Sequence, residues 1–130
     1  MARIYFAAPL FCKAERDFNE HVTGILRKNG HDVFLPQECG GSKDTKALFD
    51  ADIEAIDSCD VLLLVMDGRV PDEGATFELG YAYAKGKTCV GLKTDVRVSE
   101  NGGDNIMLAH SLEYGIARSV PELIEMLEGL

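Results

Sequence analysis

Short apolar runs rich in β-branched residues alternate along this chain with longer stretches in which apolar positions recur at helical spacing. The runs RIYFAAP (3–9), HDVFLP (31–36), VLLLVMD (61–67), TCVGLK (88–93) and a weaker IARS (116–119) predict five strands. The periodic stretches predict helices over 14–29, 44–58, 74–85, 105–113 and 121–129. Strand and helix in strict alternation give an α/β protein of three layers, a mainly parallel five-stranded sheet with helices on both faces. The run from Val61 to Val65, apolar without alternation, fits a central strand covered on both sides. The least regular segments, QECGGSKD (37–44) and TDVRVSENGGD (94–104), each follow a strand.

Composition narrows this picture. A chain of 130 residues is one domain's worth, so 1–130 is read as a single domain. With 46% hydrophobic and 27% charged residues and no long apolar run, a soluble, cytoplasmic protein is expected, with no membrane partner. The start, MARIYFAAPLF, faintly suggests a signal peptide, but charged CKAERDFNEH follows at once, where a small-residue cleavage site would be needed. A net charge of −9, from 13 Lys and Arg against 22 Asp and Glu, disfavours a nucleic-acid polymer and suits a small ligand. Cys12, Cys39, Cys59 and Cys89 form no C-x-x-C and have no metal-ligand spacing, so they are read as reduced structural thiols and no metal is expected.

In open α/β sheets, ligands bind outside the carboxyl ends of the strands. Ala7-Ala8-Pro9, Pro36-Gln37, Asp67-Gly68 and the Asp95 to Arg97 segment would gather there. The chain lacks G-x-G-x-x-G after its first strand and has no P-loop motif, so the common dinucleotide and nucleotide cradles are missing. Glu78 is the odd residue of MDGRVPDEGATFELGYAYAKGKT (66–88). On a helix it lies about 40° from Ala82, beside the face that Ala75, Leu79 and Ala82 turn inward, with no basic residue at i±3 or i±4. Acids at Asp72 and Glu73 are ordinary first-turn residues; Glu78 is not.

Asp52, in FDADIEAIDSCD, is either part of a solvated acidic face or, with Glu78, half of a carboxylate pair. One attacking carboxylate and one that handles a proton are what cleavage of a glycosidic bond requires. Tyr5 is either a core aromatic or the source of a functional hydroxyl. Tyr81 and Tyr83 read as packing, and His21, His31 and His110 as surface residues. Asp67, at the end of the third strand, would suit a phospho-accepting receiver module, but Ala7-Ala8-Pro9 stands where a receiver needs acids.

Together IYFAAPLFCKAERDFN, DADIEAIDSCDVLLLVMDG, DEGATFELGYAYAKGK and TDVRVSENGGDNIML resemble the nucleoside 2-deoxyribosyltransferase family, in order and over nearly the whole chain. The most specific part is D-x-G-x-x-x-E-L-G-x-A, Asp72 through Ala82. The resemblance implies a flavodoxin-like, Rossmann-like fold, no cofactor, and 2′-deoxyribonucleoside and nucleobase substrates. Glu78 would attack the anomeric carbon and hold the sugar as a covalent ester, kept ionised by the helix dipole and N–H groups. Asp52 would exchange a proton with the base, Tyr5 orient Glu78, Asp72 bind sugar hydroxyls and Gln37 stand near the base. Gly74, Ala75 and Gly80 would let the sugar approach. Asn105 and Met107 match positions that family members lend to a neighbouring subunit, which implies a homo-oligomer with shared sites. Ile106, Met107 and Leu108 would otherwise pack on their own sheet.

Some relatives carry a terminal aromatic residue, whereas this chain ends IEMLEGL. A related branch, the 2′-deoxynucleoside 5′-monophosphate N-glycosidases, has a Gly- and Arg-rich loop after the first strand and Ser near position 105. Here the loop is APLFCKAER and position 105 is Asn, which favours base transfer over nucleotide hydrolysis. A nucleotide N-glycosidase and a non-catalytic nucleotide-binding or receiver-type module are the alternatives.

Overall fold

The structure, a computed structural model, describes residues 1–68, 70–98 and 102–130. Five strands, β1 (Arg3–Ala7), β2 (Asp32–Phe34), β3 (Val61–Val65), β4 (Thr88–Leu92) and β5 (Gly115–Ala117), form one sheet in the order β2-β1-β3-β4-β5. Every pairing is parallel, where the sequence reading allowed a mixed sheet. Five helices alternate with the strands: α1 (Lys13–Lys28), α2 (Thr45–Ser58), α3 (Glu73–Ala84), α4 (Ile106–Ser111) and α5 (Val120–Glu128). The strands are shorter than their apolar runs. Pro9 and Pro36 offer no N–H to a ladder, and Pro36 instead starts a 3₁₀ turn, Pro36–Cys39, in a segment read as part strand and part irregular.

Period-two alternation sorts the strand residues between two cores. Ile4 and Phe6 of β1, with Leu63 and Val65 of β3, meet Val22 and Leu26 of α1 and Leu123 and Leu127 of α5. Tyr5, Ala7, Leu62 and Leu64 face the other way, toward Ile56 of α2, Leu79 and Ala82 of α3, Leu108 of α4 and Leu112 just after it. This burial on both faces is why the β3 run shows no polar alternation. Gly91 of β4 lets the second layer close. A Cβ there would stand 2.9 Å from Leu112 Cδ1 and 3.1 Å from both Ile116 Cγ1 and Met66 Sδ.

Several helix starts are fixed by side chains that accept free backbone N–H groups. Asp44 caps α2 through the N–H groups of Lys46 and Ala47, both at 3.1 Å. Ser119 caps α5 through Glu122 N at 3.2 Å, and Glu15 of α1 reaches back to Cys12 N at 3.1 Å.

Three expectations about single residues change. His31 is buried, and its Nδ1 accepts the N–H of Ala2 at 3.1 Å, so it belongs to the packing of the first strand. Cys59 and Cys89 are buried free thiols as expected of structural cysteines, whereas Cys12 and Cys39 are exposed. The Tyr81 hydroxyl donates to Asp57 Oδ1 at 2.7 Å, a bond between α3 and α2. Among the described residues no helix is long and apolar enough to cross a membrane. Residues 99–101 of the Gly-bearing segment TDVRVSENGGD lie outside the described residues.

Candidate active site

From β1 the chain runs to β2 on one side of the sheet, and the later strands extend on the other. The crevice beyond the carboxyl ends of β1 and β3 is therefore the place where the strand order reverses, the usual ligand position in an open α/β sheet. Tyr5 of β1 and the first turns of α3 both face it from the α2–α4 side.

Tyr5 is fully buried, its ring stacked on Phe34 with centroids 5.4 Å apart and planes at 14°. Its hydroxyl donates to Glu78 Oε2. Burial, then the charge of Glu78 and the bond to it, then the charge of Asp52, raise the Tyr5 pKa above the ordinary phenol value, so the hydroxyl keeps its proton and remains a donor. Of the two readings of Tyr5, core aromatic or functional hydroxyl, the molecule combines both.

Glu78 is half-buried beside Leu79 and Ala82. Burial pushes its pKa up to about 7. Asp52 and Asp72 push the same way by charge, and the Tyr5 hydroxyl opposes them. The expectation that helix dipole and N–H groups hold Glu78 ionised is thus corrected. Glu78 stands a full turn into α3, beyond the reach of the helix's free donors, and Asp72 takes the N–H of Ala75 at 2.8 Å. What keeps charge on Glu78 is the hydroxyl of Tyr5.

Asp52, half-buried on α2, also has its pKa raised by burial. It is close enough for its charge to act on both Tyr5 and Glu78, so the acidic-face reading is too simple for this residue. Asp72 is the N-cap of α3. A Cβ on Gly74 would come within 3.3 Å of Asp72 Oδ2, so a glycine there leaves this carboxylate room. Tyr5, Glu78, Asp52, Asp72 and Gly74 are thus drawn together.

Three other predicted residues sit differently. The Gln37 amide is held by Asn19 Nδ2, which donates to its Oε1 at 3.0 Å, and by the Arg16 carbonyl, which accepts from its Nε2 at 3.0 Å. Asn105 is the N-cap of α4, accepting from Met107 N at 2.9 Å and Leu108 N at 3.3 Å. Asn105, Ile106 and Met107 are exposed and only Leu108 is buried, so the three apolar residues do not all pack on their own sheet. Among the described residues no hydrogen bond joins Asn105 or Met107 to Tyr5, Glu78, Asp52 or Asp72. Of the small neighbours, Ala75 is core, and Gly80 lines a groove of about 360 Å³ between α3 and α4 with Thr76, Tyr83, Ile106 and Met107.

Sequence reasoning passed over one supporting residue, Asn19. Asn19 is buried and also donates to the Pro9 carbonyl at 2.9 Å, joining α1 to the end of β1. A polar residue on the inward stripe of α1, three before Val22 and seven before Leu26, was the available signal. Asp67 does not stand free as a phospho-acceptor would. Its oxygens accept from Thr94 N and Thr94 Oγ1, both at 2.6 Å, and from Asp95 N at 3.0 Å. Among the described residues no three His, Cys, Asp or Glu side chains are grouped to hold a metal ion.

The sequence model of the nucleoside 2-deoxyribosyltransferase family matches residues 4–112. A search of curated protein sequences gives no match. A conserved protein of Enterococcus faecalis V583 is 28% identical over 100% of this chain and 99% of its own, with a TM-score of 0.86. A 2-deoxyribosyltransferase of Bacillus psychrosaccharolyticus is 25% identical over 95% of this chain and 90% of its own, with a TM-score of 0.83. A CMP N-glycosidase of Clostridium botulinum shares the fold, with 22% identity over 97% of this chain and 98% of its own and a TM-score of 0.61. The chain belongs to the nucleoside 2-deoxyribosyltransferase family. That is a family of enzymes, and its fold extends to an N-glycosidase.

Proposed function

We propose that this protein exchanges bases on 2′-deoxyribonucleosides through a covalent deoxyribosyl ester on Glu78. The observation that carries the reading is the half-buried Glu78 carboxylate, held at Oε2 by Tyr5 and flanked by Asp52 and Asp72. In the first step Glu78 Oε1 attacks the anomeric carbon as the bond to the base breaks. The base leaves with the bonding electron pair and takes a proton from Asp52, whose burial lets it hold one. In the second step the incoming base returns a proton to Asp52 and attacks the same carbon, and Glu78 departs as carboxylate. Two displacements retain the configuration. Asp72 keeps Oδ1 for a sugar hydroxyl while Oδ2 caps α3. Gln37 stays near the base only as far as its bonds to Asn19 and Arg16 permit.

The reading includes a homo-oligomer in which Asn105 and Met107 complete a neighbour's site. Support comes from the outer face of α2, α3 and α4, where Phe49, Phe77, Ile106 and Met107 are exposed, an apolar face of the kind that marks protein contacts. Incubation with a deoxynucleoside and a second free base tests the whole. The new nucleoside is expected. Free deoxyribose as the sole sugar product would instead indicate hydrolysis, and unchanged substrate would indicate a binding module.

A further inference from the structure

The segment that leads into α4 is fastened at both ends by carboxylates. At its start Asp67, just after β3, takes the backbone of Thr94 and Asp95. At its end Asp104 is half-buried between two cations. Its Oδ1 accepts from Lys93 Nζ at 2.8 Å and its Oδ2 from Arg118 Nη2 at 2.9 Å. Lys93 immediately follows β4 and Arg118 immediately follows β5, so one carboxylate ties the ends of two neighbouring strands to the residue before Asn105. The Lys93 and Asp104 side chains are 9% and 12% exposed, whereas the other ion pairs among the described residues each have at least one side chain more than 40% exposed, Arg118 with Asp104 among them. An ion pair taken out of water costs desolvation and is weak as a stabiliser, but it fixes geometry because neither charge can leave its partner. The hydrogen bonds from Lys93 and then Arg118, against the cost of burial, hold the Asp104 pKa below the usual carboxylate range, so the clamp stays charged at neutral pH.

We infer that Asp104 is a positioning residue that sets Asn105 and Met107 in place for a partner subunit's site. This rests on the shared-site reading above. Asp104 touches no substrate; it acts through the start of α4. The capping bonds of Asn105 to Met107 N and Leu108 N then fix the direction of the two side chains that follow the clamp. Displacement of such a group by about 1 Å lowers activity about a hundredfold in well-fitted sites, which bounds the effect.

The experiment uses two differently tagged full-length chains, co-expressed and isolated as mixed assemblies, in two arrangements. In the first, one chain carries Glu78→Ala and the other Asp104→Asn. In the second, one chain carries both changes and the other is wild type. The surviving Glu78 then receives an intact partner segment in the first arrangement and a loosened one in the second. The inference expects the first to keep about half of wild-type base exchange and the second to fall at least tenfold below it. Arg118→Gln, which removes the exposed arm of the clamp and leaves Lys93 paired, should reproduce the pattern more weakly if Asp104→Asn folds poorly. Equal activity in both arrangements would reduce Asp104 to a structural role, and the reverse order would place its action in its own subunit. Either result overturns the inference. Asn105→Ala in the same two arrangements tests the shared site itself. If Asn105 acts across subunits and Asp104 does not, only the inference fails; if Asn105 acts within its own chain, the shared-site reading falls and takes the inference with it.

Discussion

The two helical layers use the same sheet for opposite purposes. On the α1 and α5 side, Ile4, Phe6, Val22, Leu26 and Leu123 make a closed apolar core, and the buried Asn19 there is satisfied by its own chain. On the α2, α3 and α4 side, the same alternation that sends Phe6 one way sends Tyr5 the other. There it meets the carboxylates of Glu78 and Asp52, and Asp72 acts by its charge on the same Glu78, in partial burial. The first layer stabilises the fold. The second gives up some stability to hold like charges together, as sites with shifted pKa values commonly do.

That division can be broken at either layer. Glu78→Ala should lower base exchange at least about a thousandfold while the protein stays folded, because no oxygen remains to form the ester. Circular dichroism and single-turnover kinetics measure both halves. Leu26→Ala, on the opposite layer, should cost about 2–5 kcal/mol of stability by leaving a cavity. The kcat of its folded fraction should match wild type, as urea titration with activity assays would show. A drop in kcat in step with stability would mean that the layers are not separable.

Smaller effects sharpen the division within the site. Asp52→Asn should slow transfer from bases that leave poorly without a proton by about a hundredfold, and far less from good leaving groups. A uniform loss across leaving groups would assign Asp52 another part. Activity should rise with pH through about 7, as Glu78 loses its proton. Tyr5→Phe removes the donor that favours charged Glu78, so this ascending limb should move to higher pH, with a loss of about tenfold at pH 7. A limb that stays in place would show that Tyr5 acts by packing on Phe34 alone. The raised pKa also bears on stability. The folded state holds the Glu78 proton above pH 4.5, where an unfolded chain has released it, so stability declines as pH rises from there to about 7. Glu78→Gln should therefore be more stable than wild type by roughly 2 kcal/mol at pH 8, with little difference at pH 4. Thermal melts at the two values decide it.

The fold was legible because its signals are local. Apolar runs bounded by Pro9, Pro36 and Gly68 marked strands, and the unbroken Val61 to Val65 run marked the centre of the sheet. Glu78 was legible as an acid at the wrong angle on its helix. Its partner came only from the family resemblance and from no local pattern, since Tyr5 is 73 residues away and only the fold brings the two together. The balance that sets the charge on Glu78 was not legible for the same reason: position on the helix is written in the sequence, but burial and the charges of Asp52 and Asp72 belong to the tertiary arrangement. The Lys93, Asp104 and Arg118 clamp left no local trace either, because its members come from three separate segments.

The central claim is that Glu78 carries the sugar. Rapid quenching of the enzyme with a 2′-deoxyribonucleoside and no acceptor base, followed by intact-mass measurement and peptide mapping, tests it most directly. The account predicts a protein heavier by one deoxyribosyl group, mapped to Glu78, formed in step with release of free base and lost when a second base is added. Base released in a burst with no gain in protein mass, or the sugar found on another residue, would contradict it.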